Sequence, residues 1–210
     1  MTRDNDHHTI DKILGVAEAQ FATQGFFASS LRQITRDAGV NVAAIHYHFG
    51  SKEALFLAVL ARRIVPFVNQ FIDEMNRVAQ TKNLQAEDVV NGYVIVIRRL
   101  VAEDEQGAVV VSRLVSRLML DEYKIFRDDL ARQYEDIAKK VMDLVWRALP
   151  HLDRETVRWR IHIGLSTLFN AFAGNDVLRA LMPVNTTIHA RDPEQVARYV
   201  APFVVAGLKA

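Results

Sequence analysis

The chain has 210 residues, of which half are apolar and 24% are charged, and its formal net charge at pH 7 is +1. This composition is that of a folded globular protein with a sizeable core, and it excludes an intrinsically disordered chain. So small a net charge does not by itself indicate a polyanionic partner. The absence of cysteine excludes disulfide scaffolds and cysteine-based zinc or redox sites.

The hydrophobic pattern favours helices throughout. The opening residues, MTRDNDHHTI, contain no hydrophobic run, so we expect no signal peptide. No apolar stretch approaches the roughly 18 residues of a membrane-spanning helix, so we expect no membrane partner. Alternating β-branched runs bounded by turns are also missing. We therefore predict an all-α protein of about nine helices, located in the cytoplasm.

The first helix is predicted from Thr9, where apolar residues follow helical spacing until Gly25. Ser30 and Gln33 then form the S-x-x-Q pattern of a capping box, which opens a second helix. Gly39 occupies the position where that helix ends, because glycine adopts the left-handed conformation at little cost.

A short third helix, Val42 to His48, is predicted after Asn41, which is a favourable N-cap residue. Phe49-Gly50 ends this helix, and Ser51 caps the next one. Two helices joined by a glycine-containing turn form the helix-turn-helix pattern. We expect residues 1–50 to fold as a three-helix domain whose core contains Phe21, Phe26, Leu31, Ile34, Val40, Ile45 and Phe49.

The fourth helix is predicted to run from Ser51 to about Val78, with Pro66 inside it. A proline inside a helix removes one backbone hydrogen bond and kinks the helix. We interpret Pro66 either as a tolerated kink or as a hinge that transmits ligand binding to the three-helix domain of residues 1–50, which we call the head. Later helices are predicted over Val89 to Val101 and over Val109 to Met119. A long helix follows with a buried stripe from Phe126 to Val145 and ends before Pro150. Two further helices begin at Asp153 and at Asp192-Pro193, with an irregular connection over Met182 to Arg191 between them.

The ordered string from Ile13 to Leu55 closely resembles the DNA-binding domain of the TetR family of transcriptional regulators. The resemblance rests mainly on IL at 13–14, AGVN at 38–41 and AIHYHFGSKEAL at 44–55. It extends from Ile13 to Leu55 without an insertion or deletion. The family often has Ser or Thr where this chain has Asn41, and Tyr where it has His46. The resemblance implies a homodimeric, sequence-specific regulator of a palindromic operator in double-stranded DNA, and we expect a repressor.

The third helix is expected to read DNA. Its alanines let the backbone sit deep in the major groove, where a methyl group contacts a thymine methyl. The N-terminus of the fourth helix offers N–H groups to a phosphate. His46 and His48 do not share a helix face, so no metal site is expected. We also expect no cofactor. The predicted DNA contacts are Ser29, Ser30, Arg32, Asn41, Val42, Ala43, Ala44, His46, Tyr47, His48 and Lys52.

Residues 51–210 are predicted to form a ligand-binding and dimerisation bundle. The resemblance implies an effector cavity in its middle helices, and the composition there suits a small apolar or amphipathic effector. Arg113 and Arg117 are spaced to clamp a carboxylate or phosphate, although surface salt bridges are the alternative. The predicted effector contacts are Tyr93, Ile97, Val110, Arg113, Leu114, Arg117, Phe126, Met142, Trp146, His162, Phe169 and Asn170.

The resemblance also implies a four-helix dimer interface built from the last two helices of each subunit. Glycine and alanine in the first of these helices permit close packing of helices. Alternatively, these helices only close the core of their own subunit. The predicted interface residues are Ile161, Gly164, Leu168, Ala171, Phe172, Val196, Tyr199, Val200 and Phe203.

A narrower likeness is to the PsrA-like, fatty-acid-responsive branch of the family. It is carried by VSRLVSRLML at 111–120, WRIHIGL at 159–165 and VARYVAPFVVAGLKA at 196–210. It implies a fatty acid or acyl-CoA effector with its acid end near Arg113 or Arg117. Motifs of common enzyme classes, such as G-x-G-x-x-G, G-x-S-x-G and H-E-x-x-H, are missing, so we expect no enzyme. A helical co-regulator that acts through protein partners without binding DNA is the alternative.

Overall fold

A computed structural model describes residues 2–118, 120–174 and 192–210, and these residues form helices and connections without strands, which confirms the predicted all-α class. The predicted irregular connection of residues 182–191 lies outside the described residues. The described helices are α1 (Thr2–Gln24), α2 (Leu31–Ala38), α3 (Val42–His48), α4 (Lys52–Val78), α5 (Ala86–Glu103), α6 (Glu105–Leu118), α7 (Lys124–Gln133), α8 (Glu135–Ala148), α9 (Arg154–Ala173) and α10, which joins Pro193–Gln195, Val196–Val200 and Ala201–Lys209.

The predicted caps of the N-terminal helices are confirmed. The hydroxyl of Ser30 accepts the backbone N–H of Gln33 at 3.1 Å and opens α2. Gly39 ends that helix in the left-handed region, with φ at 67°. Asn41 caps α3 through Oδ1, and Ser51 caps α4 through its hydroxyl. Because a cap depends on residues only a few positions away, its sequence signal is strong.

The core of the helix-turn-helix is also confirmed. Phe21, Phe26, Ile34 and Ile45 are buried, while the other predicted core residues are half-buried against them. One boundary differs, because α1 begins at Thr2 instead of Thr9. The apolar spacing that predicted this helix starts only where α1 meets the rest of the head.

The long helix α4 packs against α1, α5, α6 and α8. It alone among the described helices is long and apolar enough to cross a membrane by length and composition, which the sequence did not predict. Leu55, Phe56 and Val59 are nevertheless fully buried in the protein core. Arg62 and Arg63 form ion pairs with Glu18 of α1. These contacts are those of the central helix of a folded bundle.

Two predicted boundaries in the middle of the chain are wrong. The connection predicted between Val101 and Val109 reduces to Asp104, whose Oδ1 accepts the N–H of Gly107 at 2.8 Å and so helps α6 begin at Glu105. The single long helix predicted from about Phe126 to before Pro150 is divided at Tyr134 into α7 and α8. The apolar spacing continues across that break because both helices line the same interior.

The last two described helices begin at their predicted caps, Asp153 and Asp192. Pro202 lies inside α10 and has no backbone N–H. Just before it, the N–H of Ala201 donates to Val196 O across a wider π turn. Because the turn is wider, α10 continues past the proline.

Candidate functional sites

The short helix α3 presents most of its surface to solvent. Tyr47 is 79% exposed, and Ile45 is the buried residue that holds the helix to the head. Ala43 and His46 are exposed, while Val42, Ala44 and His48 are half-buried. The rings of Tyr47 and His48 meet edge to face at 4.8 Å. α3 therefore displays the small and aromatic side chains that were predicted to meet DNA.

The residues that flank α3 have additional contacts within the protein. The ammonium of Lys52 lies 4.6 Å from the centre of the Phe26 ring, and partial burial lowers the pKa of Lys52 although Glu53 raises it. The Nδ1 atom of His46 is 3.0 Å from Gly50 O. Arg32 is exposed on α2. Lys52 thus supports the start of α4 and also supplies charge next to α3.

Two predicted phosphate contacts have other roles in the structure. Ser29 is buried, and its hydroxyl donates to Gly25 O at 2.6 Å. Its side chain therefore does not face solvent, contrary to prediction. The hydroxyl of Ser30 is exposed and caps α2. Burial of Ser29 depends on how the turn after α1 folds back, which residue type alone does not reveal.

The head and the bundle meet around Gly25. The hydroxyl of Tyr123 accepts the backbone N–H of Phe26 at 2.8 Å. Arg117 donates through Nη2 to Thr23 O at 2.6 Å and through Nε to Ala22 O at 3.3 Å. Arg117 therefore holds the C-terminal end of α1, a role that the sequence did not predict, and its role as a clamp for an effector stays a prediction.

An aromatic cluster completes this junction. The Phe126 ring lies 5.1 Å from that of Phe26 and 4.8 Å from that of Phe56, and Tyr123 belongs to the same cluster. Phe126 was predicted to line an effector cavity, and the structure places it between head and bundle instead. Its helical spacing marks it as buried but does not say which neighbour covers it.

An apolar cavity of about 610 Å³ lies in the bundle between α4, α5, α7, α8 and α9. Of the predicted effector contacts, Tyr93, Met142 and Phe169 line it. The cavity also contains Arg127 and Tyr134, which the sequence did not single out. Most of the remaining wall is aliphatic or aromatic, and includes Phe67, Phe71, Leu130, Ile137, Val141 and Leu165.

Polar groups in this cavity are few. The hydroxyl of Tyr93 is buried and has no hydrogen-bond partner among the described residues. Burial raises the pKa of Tyr93 well above its ordinary value, so the phenol is neutral. The hydroxyl of Tyr134 likewise lacks a partner within the described ranges. A buried hydroxyl without a partner costs free energy, which a ligand with a polar group would recover.

The other predicted effector contacts lie elsewhere. Arg113, Arg117 and Asn170 line a separate, more open cleft of about 520 Å³ beside the end of α1. Ile97 and Leu114 are fully buried core residues, and Val110 packs half-buried against them. The Trp146 ring is covered by the Arg154 guanidinium at 4.3 Å, and His162 is exposed next to Trp159.

The predicted dimer residues on the last two described helices fall into three groups by burial. Tyr199 and Phe203 are exposed, at 61% and 68%. Ala171 and Val200 are half-buried. The inward-facing group closes the core of its own subunit, as the alternative interpretation held, and consists of Ile161, Gly164, Leu168, Phe172 and Val196.

Two exposed apolar residues of α9 were not predicted as interface residues. Trp159 is 62% exposed and Ile163 is 57% exposed, one turn apart on the same face. Together with Tyr199 and Phe203 of α10, which packs against α9, they are the exposed large apolar residues of the last two described helices, and we call this set the α9–α10 face. The sequence pattern pointed to the other side of α9, because the continuous apolar stripe there is the one that packs inward.

Two family models match this chain. Residues 13–59 match the bacterial regulatory proteins of the tetR family, and residues 93–207 match the tetracyclin repressor-like C-terminal domain. The chain belongs to the TetR family. This TetR-family protein is therefore a DNA-binding transcriptional regulator.

Three known proteins illustrate the similarity. The chain is 29% identical over 176 residues to the HTH-type transcriptional dual regulator CecR of Shigella flexneri, across 83% of this chain and 69% of CecR. It is 44% identical over 52 residues to the HTH-type transcriptional repressor NicS of Pseudomonas putida, across 25% of this chain and 24% of NicS. The fatty acid degradation regulator FadR from Bacillus halodurans shares the fold, with a TM-score of 0.62, 17% identity and 95% coverage of each chain. These relatives are regulators, and the PsrA-like branch stays a prediction.

Proposed function

We propose that this TetR-family regulator is a homodimeric, cytoplasmic repressor that leaves a palindromic operator when a small apolar effector fills the bundle cavity. The observation that carries the proposal is the apolar cavity of about 610 Å³ containing buried tyrosine hydroxyls without partners among the described residues. Bound effector would satisfy these hydroxyls and replace an unfilled interior with packed contacts.

Operator binding is assigned to the exposed surface of α3. Tyr47 projects from it, and Lys52 lies at the N-terminus of α4, where backbone N–H groups also face outward. Tyr47 would contact base or sugar edges and Lys52 a phosphate.

The two assignments are tested by Tyr47→Ala and Lys52→Gln in electrophoretic shift assays with DNA from upstream of the gene itself. Each phosphate-contacting lysine that is lost lowers the salt slope of binding by about 0.9. We expect this decrease for Lys52→Gln, and an affinity loss of about tenfold for Tyr47→Ala without a change in unfolding free energy. An unchanged slope and affinity would remove Lys52 from the interface.

Dimerisation is assigned to the α9–α10 face. A short recognition helix makes few base contacts, so two copies about 34–36 Å apart on one side of the duplex are needed for affinity and specificity. Trp159, Ile163, Tyr199 and Phe203 supply exposed aromatic and aliphatic area of the type found at the centre of interfaces. Four such residues on two helices that pack together are proposed to form one apolar patch.

The effector is proposed to be mainly apolar, with a fatty acid or acyl-CoA as the first class to test. The apolar cavity wall suits an apolar tail. FadR, which has the same fold, is a fatty acid degradation regulator, so fatty acids are the first series of ligands to test. The experiment measures melting temperature and operator release with saturated chains of increasing length. Stabilisation and release that pass through an optimum at one length would support the cavity as the site. No response to any acyl chain would discard this effector class.

Membership of the TetR family argues against the predicted alternative, a co-regulator that binds protein partners without DNA. The electrophoretic assay identifies the operator, and binding to it should weaken as the salt concentration rises. A reporter gene under the identified operator then separates repression from activation.

A further inference from the structure

The Lys52 ammonium, which is proposed to contact an operator phosphate, lies against an aromatic ring. Its Nζ is 4.6 Å from the centre of the Phe26 ring, well within the roughly 6 Å over which a ring face attracts a cation. Lys52 is half-buried at the start of α4. Glu53 follows it but is exposed, and adjacent residues of a helix do not face each other. A ring attracts an ammonium without neutralising its charge, so its N–H groups remain able to bond to a phosphate.

The Phe26 ring is itself fixed by residues that lie outside the head. Its centre is 5.2 Å from that of Phe56 in α4 and 5.1 Å from that of Phe126 in α7. The backbone N–H of Phe26 donates to the Tyr123 hydroxyl at 2.8 Å, and only 7% of the residue is exposed. A ring that is packed on several sides keeps its position, whereas the four-carbon stem of a lysine is flexible. The ring therefore determines where the Lys52 ammonium lies.

We infer that Phe26 is a positioning residue for DNA binding, because its ring holds the Lys52 ammonium in place for an operator phosphate. This inference rests on the proposed contact between Lys52 and a phosphate. Fixing the stem of a free lysine in a complex costs conformational entropy. The ring restricts the stem before DNA binds, so less entropy is lost when the phosphate contact forms.

The test weakens the attraction of the ring for a cation without removing the ring. Phe26 is replaced with a trifluorinated phenylalanine, because fluorine withdraws electron density from the ring face. Affinity for the operator that the electrophoretic assay identifies is then measured with the full-length protein, with and without Lys52→Gln. We expect operator binding to weaken about two- to fivefold when Lys52 is present, which is the strength of an exposed cation–π contact. In Lys52→Gln the same replacement should have no effect.

Phe27 supplies the matched control. Its ring follows Phe26 in the chain and lies 5.1 Å from it, but no cation lies over it among the residues that the structure describes. The same trifluorinated residue at position 27 should leave operator affinity unchanged.

Phe26→Leu gives a second measurement with natural amino acids. Together with Lys52→Gln and the double variant it forms a cycle on operator affinity, in which we expect a coupling of about two- to fivefold. Melting temperatures show that each variant is folded. Equal losses with and without Lys52 would overturn the positioning role of Phe26 and leave the phosphate contact of Lys52 intact. A Lys52→Gln variant that binds the operator like wild type would instead overturn the phosphate contact, and the role of Phe26 with it.

Discussion

At the scale of single residues, Gly25 shows how closely head and bundle approach. Its φ of 86° lies in the left-handed region, and a Cβ atom there would lie 2.6 Å from the Tyr123 hydroxyl and 2.8 Å from Arg117 Nη1. Both the backbone conformation and the available space therefore require glycine. The sequence predicts a helix end at Gly25 but not the two side chains that press against it.

Replacing Gly25 with alanine is expected to lower the free energy of unfolding by about 2 kcal/mol or more, since strain and overlap add. Gly15 is the matched control, because it is exposed within α1 and a Cβ there meets nothing within 4 Å. Gly15→Ala should stabilise the protein by about 0.5–1 kcal/mol. Urea unfolding of both variants checks the pair. Equal effects of the two substitutions would show that the Gly25 junction is loose in solution.

Local residue patterns therefore predict the helix caps, but they do not predict most residues of the candidate effector site. Ser30, Asn41 and Ser51 satisfy N–H groups three positions ahead, so their role is visible in the sequence. Arg127 and Tyr123 act on partners that the fold brings to them, and neither belongs to a periodic pattern with a distinctive meaning. The sequence directed attention to Arg113 and Arg117 because they share a helix face.

At the scale of elements, ion pairs connect α1, α4 and Asp104, the residue between α5 and α6. Glu18 is almost fully buried, its Oε2 accepts the Nε–H of Arg63 at 2.8 Å, and its Oε1 lies 3.2 Å from Arg62 Nε in an ion pair. Arg63 Nη1 also bonds to Asp104 Oδ2 at 2.8 Å. Burial alone would lower the pKa of Arg63, and the two carboxylates more than compensate, so the guanidinium stays charged.

Removing Arg63 should leave Glu18 with a single partner in a buried position. Arg63→Met is therefore expected to cost about 1–3 kcal/mol of unfolding free energy, of which Glu18→Gln in the same background recovers part. Arg36→Met is the control, because that guanidinium is 74% exposed and its pair with Asp37 contributes little. Urea unfolding of the single and double variants gives the coupling. If the losses of unfolding free energy in the two single variants add up to the loss in the double variant, Glu18 and Arg63 do not interact in solution.

Asp104 gives this connection a pH dependence. The N–H of Gly107 and then the Arg63 guanidinium hold the pKa of the Asp104 carboxyl below its ordinary 3.8. The unfolded chain therefore takes up the proton first on acidification, and the stabilisation is lost as the pH falls below that ordinary value. Asp104→Asn should be less stable than wild type at pH 7 and should lose less stability between about pH 5 and 3. If the urea midpoints of wild type and Asp104→Asn fall by the same amount across this pH range, Asp104 is not the source of the pH dependence.

At the scale of the whole molecule, the α9–α10 face contains four of the eight exposed large apolar residues in the described part of the chain. The double variant Trp159→Glu, Phe203→Glu should be monomeric at micromolar concentration, since each carboxylate would have to be buried in a dimer. Operator affinity should then fall by roughly a hundredfold, because bivalent contact with both half-sites is lost. Sedimentation velocity and electrophoretic shifts measure the two effects.

Leu57→Glu is the control for this variant, because Leu57 is a 40% exposed apolar residue on α4 away from the α9–α10 face. It should leave the oligomeric state unchanged. A dimeric Trp159→Glu, Phe203→Glu double variant would exclude the α9–α10 face as the interface. The periodicity of α9 could not predict this surface, because an inward stripe and an outward patch both contain apolar residues at helical spacing.

The aromatic cluster at the junction has a consequence for how the chain can be divided. The predicted boundary at residue 50 separates Phe26 from Phe56, Tyr123 and Phe126, whose rings cover it. A peptide ending there would expose the side of Phe26 that these rings now shield, and would lose the hydroxyl that accepts its N–H. Transplanting this head onto the bundle of another regulator would therefore succeed only where the recipient supplies aromatic side chains at the equivalents of positions 56, 123 and 126.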